Sequence, residues 1–508
     1  MRFAFALAAS FLLHPAAVVL AGTPPPAADA PVEPIPLARC IEIALQQSRL
    51  RPASQFGVDL AEAQHRQALS AYWPQVKATA GYQRLDEPLN FLFPASAFPI
   101  PSQTIQTPAG AMTVTIPANA FGPGFPPQNV QMPVAVPAQT ITTPAQQFGV
   151  PAQDIQLVQR NVAAGSMDMK WLLYDGGMRQ GMRQQTTANI AVQKQEVRRT
   201  DLEIVETVKR YYWGAVLALQ LHSLGRDALG RMEGTLRLTE GMYKAGAGKV
   251  AKTDYLDNLI MVESLRAMVA TLEKNEKLSQ AALANALGYS WSSSVRPADS
   301  SIPAPGPLPA LDALVGESYK FNPDWAKLES ALVAAEGALK TAKSAYHPKL
   351  ALTGEIRRWW NSGGNSGAFT AQNRAGWTAG VGVEIPIFNG FLTQAKINEV
   401  RAQIAQWKEK QFLLREGLGL QIRDVVLGLE AAVKADAATA LASKSAEESR
   451  DLNTRAYESE LVETEKVIRA QLMESLMTAQ HYLARYQITT LSARLSLLVG
   501  KEVAAAAR

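Results

Sequence analysis

Cysteine is almost absent from this chain. Cys40 is the only one among 508 residues, so an internal disulfide framework is excluded. Histidine is also scarce, and the histidines show neither metal-ligand spacing nor a nucleophile partner: His14, His65, His222, His347 and His481. No glycine-rich loop of the phosphate-binding type is present. These absences argue against an enzyme, and they predict no metal or cofactor site.

A strong excess of one charge and long apolar runs are missing as well. Lysine and arginine number 50 against 45 aspartates and glutamates, a net charge of +5, and the two signs are interleaved. We therefore expect no nucleic-acid partner. Beyond the N-terminal region no stretch is apolar for the roughly 18 residues that a membrane-spanning helix needs, so the sequence predicts none.

Proline is missing from two long parts of the chain, residues 152–296 and 391–508. Because proline breaks helix interiors, its absence leaves room for very long helices. Residues 86–155 have the opposite character, since they are rich in proline, glutamine and threonine and nearly free of charge. They are predicted to form a long loop.

The N-terminus has the pattern of a secretory signal peptide over residues 1–21. Arg2 precedes a short apolar run, and a small-residue cleavage pattern ends at Ala21. Residues 22–36, rich in proline and alanine, are predicted to be a flexible lead-in. Arg39 stands where a lipidation signal requires a small residue, so we expect Cys40 to be a buried thiol on a helix.

The most informative feature present is a tandem duplication, because four markers recur in the same order. They are Ser70–Val76 with Ser344–Leu350, Tyr174–Gly176 with Phe388–Gly390, Tyr243 with Tyr457, and Leu283–Gly288 with Leu495–Gly500. A period above 200 residues is too long for a solenoid repeat. The duplication predicts a first copy over 37–297, a linker over 298–310 and a second copy over 311–508.

Each copy combines two alternating strands with long helices. The strands are predicted near 75–85, 160–174, 349–360 and 374–385, each with one apolar and one polar face. Residues 178–243 are predicted to form one helix, which at 1.5 Å per residue is roughly 100 Å long. Its recurring apolar positions are typical of coiled-coil packing.

Strands of about ten residues with two different faces suit a tilted strand in a membrane barrel. Four strands cannot close a barrel, and open edges are unfavourable in lipid, so three chains with twelve strands are predicted. Aromatic residues flank the strands as the girdles of such a barrel do: Tyr72, Trp73, Tyr346, Trp359, Trp360 and Trp377. The alternative is that these are ordinary aromatics of a soluble β-domain.

These motifs together resemble the TolC family of outer-membrane efflux proteins. The resemblance rests on the Ala-Tyr-x-Pro entry to the first strand, the aromatic-Asp/Asn-Gly exit from the second, and the Tyr-x-x-Gly turn between long helices. It implies a mostly α, α+β membrane protein, whose trimeric 12-stranded β-barrel is continued by a helical coiled-coil tunnel through the periplasm. It also implies a passive channel without cofactors, a homotrimer in outer-membrane lipid, served by a periplasmic adaptor and an inner-membrane pump.

The resemblance further implies that the loop over 86–155 is extracellular, and that a periplasmic entrance lies at the turns between long helices. Adaptor-docking turns would contain Gly246, Gly248, Glu460 and Leu461, although Glu460 stands where the family has glycine. Entrance or gating residues would be Asp254 and Asp257 in the first copy, with Lys466 and Arg469 at the matching positions of the second. We expect pairs between these opposite charges to help close the entrance; the alternative is that they are solvated charges at helix ends.

An alternative hypothesis for the whole chain is a soluble periplasmic coiled-coil adaptor or scaffold. Its alternating strands would then belong to a soluble β-domain. The sequence also leaves open whether the cargo is a drug or other small molecule, or a protein of type I secretion.

Overall fold

The structure is a computed structural model that describes residues 33–86, 90–93, 96–99, 104–106, 140–142, 147–150, 153–156, 161–245, 250–307, 310–361 and 375–503. The predicted signal peptide and most of the lead-in lie outside the described residues. Among the helices in these ranges, none combines the length and apolar character needed to cross a membrane.

Two helices begin the described chain, α1 (Leu37–Gln47) and α2 (Leu50–Ser70). The helical pattern breaks before Pro52, which lies in the first turn of α2, where a missing N–H costs no helical hydrogen bond. Cys40 is completely buried on α1, as predicted. Burial raises the pKa of its thiol to about 12, so the thiol stays protonated and unreactive at neutral pH.

Strand β1 (Gln75–Arg84) follows, and its antiparallel partner is β8 (Asn161–Tyr174). Between them the segment predicted as a loop contains six short strands that pair as β2·β7, β3·β6 and β4·β5. Their bounds are Asn90–Phe93 with Gln153–Gln156, Ser96–Pro99 with Gln147–Val150, and Thr104–Gln106 with Thr140–Thr142. The two arms of this segment therefore form nested antiparallel ladders.

A very long helix, α3 (Met178–Lys244, 67 residues), starts directly after β8, and α4 (Lys252–Ala286) follows it. The second copy supplies α5 (Leu311–Phe321), α6 (Pro323–Lys343), β9 (Lys349–Asn361), β10 (Ala375–Glu384), α7 (Leu392–Glu458, again 67 residues) and α8 (Thr464–Val499). The carboxamide oxygen of Asn322 accepts from the amides of Asp324 and Trp325, which caps the start of α6.

The duplication is visible in the backbone at its glycine markers. Gly176 and Gly390 adopt φ values of 66° and 64°, and Gly288 and Gly500 adopt 93° and 83°. A Cβ on Gly288 would collide with the carbonyl of Gln47, and one on Gly500 would collide with the carbonyl of Phe321. Both copies thus use glycine at the same turn for the same two reasons, a left-handed φ and a close approach of backbone.

The chain divides into two compact units, and each takes segments from both copies. One unit consists of Met1–Arg49, Ile204–Pro305 and Ala432–Thr490; the other consists of Leu50–Glu203, Gly306–Ala431 and Leu491–Arg508. The core of the first includes Tyr212, Leu283 and Val295. The second contains all the strands, and a smaller cluster there joins Leu328 and Ala335 to Trp407.

Candidate functional site

The four long strands form one antiparallel sheet in the order β1-β8-β9-β10. The central pair β8·β9 joins the two hairpins, so the first and second copies lie side by side in the sheet. Within the described chain, β1 and β10 each pair on one side only. Both sheet edges therefore present unpaired backbone groups that another strand could satisfy.

One face of this sheet is almost entirely apolar, and we call it the apolar face. Its register is continuous across all four strands, as in the row Ala78, Met167, Ile356 and Trp377. Ile356 is 60% exposed and Trp377 is 77% exposed in the single chain. Apolar surface this extensive and contiguous marks an interaction site with lipid or protein.

The opposite face, here called the polar face, carries both signs of charge. One row places Lys77, Asp168, Glu355 and Thr378 next to one another. In the adjoining row, the hydroxyls of Thr79 and Ser166 are hydrogen-bonded at 2.7 Å. The two faces differ as the lipid and water sides of a membrane barrel differ.

The register separates the three tryptophans of the second hairpin that the sequence predicts to be girdle residues. Trp360 lies on the apolar face in the row of Tyr82, and Trp377 lies on the same face. Trp359 pairs with Ala164 and lies on the polar face, because adjacent residues of a strand point to opposite sides. Trp359 therefore cannot belong to the same girdle as Trp360.

At the helix-side end of the sheet lie the other three predicted girdle residues, between helix and strand: Tyr72, Trp73 and Tyr346. Trp73 is 71% exposed and Tyr346 is 54% exposed. The indole N–H of Trp171 donates to the carbonyl of Tyr72 at 3.0 Å, so Trp171 lies beside them. The sequence prediction did not include Trp171, although its position on the apolar face of the alternating strand β8 could have identified it.

A compact ion pair fixes the joint between β8 and α3. The Asp175 carboxylate accepts from the Arg179 amide at 2.9 Å and from its Nε at 2.6 Å. The same guanidinium donates to the carbonyls of Leu172 and Leu173 and lies over the Tyr72 ring. Both charged side chains are nearly buried. The joint between sheet and helix is thus held by several simultaneous contacts to one arginine.

A buried polar cluster joins four helices near the turns between them. The Tyr457 hydroxyl is hydrogen-bonded to the hydroxyls of Thr239 at 2.8 Å and Thr464 at 3.0 Å. The side-chain amide of Asn258 donates to the Thr239 hydroxyl at 3.2 Å. All four side chains are buried. The cluster therefore links α3, α4, α7 and α8. Because these hydroxyls are buried, a lost hydrogen bond is not replaced by one to water, and its loss is costly.

Polar contacts continue along α8 at every seventh residue after Thr464. Gln471 donates to the Thr235 hydroxyl, Thr478 is bonded to Ser443, and the guanidinium of Arg485 donates to Asp436. Polar residues at a repeated seam position fix the register of a coiled coil at some cost in stability. The sequence prediction missed this series, and the signal that could have found it is the seven-residue recurrence itself.

The predicted entrance charges are at the expected turns but have other partners. Asp254 accepts from the Ala251 amide at 2.9 Å and so caps its own helix, while Arg469 pairs with Glu465 one turn earlier. Asp257 and Lys466 are exposed. Over the ranges that the structure describes, no ion pair within the chain joins either aspartate to Lys466 or Arg469. Gly246 and Gly248 lie outside those ranges.

The turn between α7 and α8 has the left-handed backbone conformation that usually requires glycine, although it contains no glycine. The Leu461 amide donates to the Ala456 carbonyl and the Glu460 amide donates to the Tyr457 carbonyl, the hydrogen-bond pattern of a Schellman motif. Glu460 occupies the left-handed position with φ 59°. Leu461 follows with 78% of its surface exposed. The turn therefore presents an apolar side chain to its surroundings.

Replacing Glu460 by glycine should stabilise this turn. A non-glycine residue in the left-handed region costs about 1–2 kcal/mol, and glycine removes that cost at a small price in unfolded-chain entropy. We expect the free energy of unfolding to rise by about 0.5–1 kcal/mol, measured by denaturant titration. Glu458→Gly, at the end of α7, should instead destabilise by about 1 kcal/mol. Destabilisation by both changes would contradict the assignment of strain to Glu460.

Over the described residues, no group of histidine, cysteine, aspartate or glutamate side chains could hold a metal ion. The features that the described residues do show are an apolar and a polar face of one sheet, and long helices joined by buried polar contacts.

Comparison with known proteins agrees with this architecture. Residues 314–501 match the family described as outer membrane efflux protein. Among curated proteins, Protein CyaE of Bordetella pertussis is 26% identical over 49% of this chain, and Nodulation protein T of Rhizobium leguminosarum bv. trifolii is 23% identical over 65%. The matches span 51% and 69% of those two proteins, so the chain spans about half the length of the first.

Solved structures are similar over nearly the whole chain. CusC has a TM-score of 0.67 and 16% identity, covering 94% of this chain and 99% of CusC. The outer membrane protein VceC of Vibrio cholerae has a TM-score of 0.64 and 16% identity, covering 92% and 96%. A membrane protein from Pseudomonas aeruginosa has a TM-score of 0.67 and 18% identity, covering 92% and 90%. At these identities the similarity is one of fold, and it confirms the predicted α+β, mostly helical class.

Proposed function

We propose that the chain is a member of the TolC-like outer membrane efflux protein family and that it is the passive exit duct for substrates of an inner-membrane pump; the match of residues 314–501 to that family supports the proposal. Proteins of this family are transport channels of the outer membrane that extend into the periplasm, and they are not enzymes. The observation that carries the proposal is the two-faced sheet. Its apolar face is suited to contact lipid and its polar face to contact water, so the four strands can form a wall between lipid and a water-filled pore.

We propose that three copies of the chain form one barrel. Each copy offers β1 and β10 as open edges, and an open edge in a membrane leaves backbone groups without partners. Pairing β10 of one copy with β1 of the next closes a ring without leaving an edge. Three copies give twelve strands, a number within the range that membrane barrels use.

The proposed partners lie at the other end of the long helices. A periplasmic adaptor would dock at the turns that contain Gly246, Gly248, Glu460 and Leu461, and would connect the duct to the pump. The exposed Leu461 side chain supports this proposal, because apolar residues presented by a turn are typical anchors for a partner protein. The cargo is proposed as whatever that pump delivers, either small molecules or, in type I secretion, proteins.

The same end would also hold the gate. The entrance charges Asp254, Asp257, Lys466 and Arg469 remain candidates for pairing between copies in the trimer. Exposed pairs of this kind are worth about 0–1 kcal/mol each. The buried cluster around Tyr457 is therefore the stronger candidate for holding the helices together, since its hydroxyls have no access to water.

Replacing Tyr457 by phenylalanine should loosen the packing of the helices at the proposed entrance. The change removes one hydroxyl and leaves those of Thr239 and Thr464 without that partner, which costs roughly 1–3 kcal/mol per chain. We expect a higher resting conductance of the purified channel in planar bilayers. Tyr243→Phe is the matched control, because Tyr243 occupies the equivalent repeat position but stacks on Tyr255 while 39% exposed. If the two variants conduct equally, Tyr457 does not contribute to gating.

The proposed function is tested by fractionation followed by conductance. A duct should sediment with the outer membrane as a heat-modifiable trimer, and the purified trimer should conduct ions across a planar bilayer. The rival reading, a soluble periplasmic adaptor or scaffold, requires release by osmotic shock and no conductance. Release of the intact protein in soluble form would overturn the proposal.

A further inference from the structure

The apolar face carries charge at two positions only. Within the four described strands, its charged residues are Arg84, which pairs with Asn161, and Arg358, which pairs with Gly165. No aspartate or glutamate of these strands lies on this face, whereas the polar face holds both signs. Two cations on an otherwise apolar face need an explanation, because an arginine at the membrane midplane costs about 2–4 kcal/mol.

Both arginines belong to the end of the sheet that points away from the helices. Arg84 is the last residue of β1, two residues beyond Tyr82, and Arg358 is two residues before Trp360 in β9. The cost of an arginine on the lipid side falls to about 0–1 kcal/mol near the interface. A long side chain at this end can extend its guanidinium into the headgroup layer.

The Arg358 side chain contacts an aromatic ring of the same face. Its guanidinium lies over the Trp360 ring, 5.3 Å from the centroid, and the same ring packs above Gly165. A guanidinium stacked on a ring keeps its N–H groups free to donate in the plane. Over the described part of the chain, no ion pair joins Arg84 or Arg358 to an acidic side chain, and Asp86 beyond the end of β1 pairs with neither.

We propose that Arg84 and Arg358 form a binding surface for the phosphate groups of lipids in the outer leaflet. This inference rests on the proposed function, because it requires the apolar face to meet lipid. Arginine favours phosphate, since its planar fork donates two parallel hydrogen bonds to phosphate oxygens. Three copies of the chain would place six guanidinium groups around the outer rim of the barrel. The proposed ligand is a phosphorylated lipid headgroup, and the experiment must distinguish its binding from the binding of free phosphate.

The experiment compares lipid binding by Arg84→Gln/Arg358→Gln with binding by Arg357→Gln. Arg357 is the matched control because it neighbours Arg358 in the same strand but lies on the polar face, opposite Ser166. Detergent-purified trimers are titrated with diphosphoryl lipid A, with its dephosphorylated form and with inorganic phosphate, and bound lipid is counted by native mass spectrometry. Arg84→Lys/Arg358→Lys, which keeps the charge, provides a second variant if the glutamine variant does not assemble.

Wild-type protein and Arg357→Gln should retain the diphosphorylated lipid equally and the dephosphorylated form poorly. Each arginine lost should weaken retention about fivefold, the effect of one cation near an anionic lipid surface. The lysine variant should retain more lipid than the glutamine variant and less than the wild type. Equal retention by wild type and both double variants overturns the proposal, as does competition by millimolar phosphate, which would indicate a free-anion site.

Lipid binding and channel function are distinguished by different measurements. If the trimer conducts ions and sediments with the outer membrane but shows no preference for phosphorylated lipid, the proposed lipid site is wrong and the proposed channel function is unaffected. If the wild-type protein is released by osmotic shock, both proposals are wrong.

Discussion

Replacing Ile356 by arginine should prevent the protein from accumulating in the outer membrane. Ile356 lies on β9, one of the two central strands, where it pairs with Met167 on one side and Trp377 on the other. It is four residues from Trp360 along the strand and 60% exposed in the single chain. A guanidinium there cannot reach the interface as easily as Arg358 can. The expected cost is about 2–4 kcal/mol for each chain, and a trimer incurs it three times.

The measurement is the amount of heat-modifiable trimer in the outer-membrane fraction. Glu355→Arg is the matched control, because Glu355 precedes Ile356 in the same strand but lies on the polar face opposite Asp168. That variant should assemble at the wild-type level and, in the proposed channel, change only the ion selectivity, by reversing a charge on the polar face. If both variants assemble equally well, the apolar face is not the lipid side, and the assignment of the two faces is wrong.

The strands and long helices could be predicted because their signals are local and repeated. Alternation over ten residues defines β1 and β10, the lack of proline permits α3 and α7, and the duplicated markers place both copies in order. The nested ladders between β1 and β8 were missed because their sequences carry no such local signal. Their pieces are three or four residues long and separated by prolines, so no period develops, and only pairing between distant arms defines them as strands.

The side-chain clusters could not be predicted, since they depend on which residues of distant helices meet. Tyr457 and Thr239 are 218 residues apart in sequence, and their hydrogen bond requires the registers of α3 and α7 to agree. The pairing of the entrance charges stays a prediction. Repeat alignment makes Asp254 and Lys466 equivalent positions, and within one chain Asp254 caps its own helix at the Ala251 amide, a local contact that costs less entropy to form than a distant ion pair.

Another contact of this kind is the buried ion cluster between α3 and α6. The Lys327 side chain is completely buried, and its ammonium group donates to Glu196 at 2.6 Å and contacts Asp324 at 2.7 Å. Arg199 binds the same Asp324 carboxylate at 2.8 Å. Nothing in the local sequence distinguishes Lys327 from the exposed lysines around it. Its burial follows from the packing of two helices whose contacting residues are 131 positions apart in sequence.

Replacing Lys327 by methionine should lower the free energy of unfolding by about 3 kcal/mol. The volume is kept, but Glu196 loses its partner and Asp324 keeps only Arg199, and removing one member of a buried ion pair typically costs about 3–5 kcal/mol. Partial exposure of Glu196 places the expected value at the lower end. The measurement is denaturant unfolding of the purified trimer. Lys277→Met is the control, because its pair with Glu273 is exposed and screened by water, so its loss should leave the free energy of unfolding nearly unchanged.

A second change distinguishes loss of the ion pair from poor packing of methionine. Adding Glu196→Gln to Lys327→Met removes the carboxylate that was left without its cation, so it should restore part of the lost stability. Packing strain would instead persist in the double variant, because exchanging a carboxylate for a carboxamide of the same size does not alter the shape around Lys327. If the double variant is less stable than Lys327→Met, the two residues do not act as a pair, and the cluster does not hold α6 against α3 through charge.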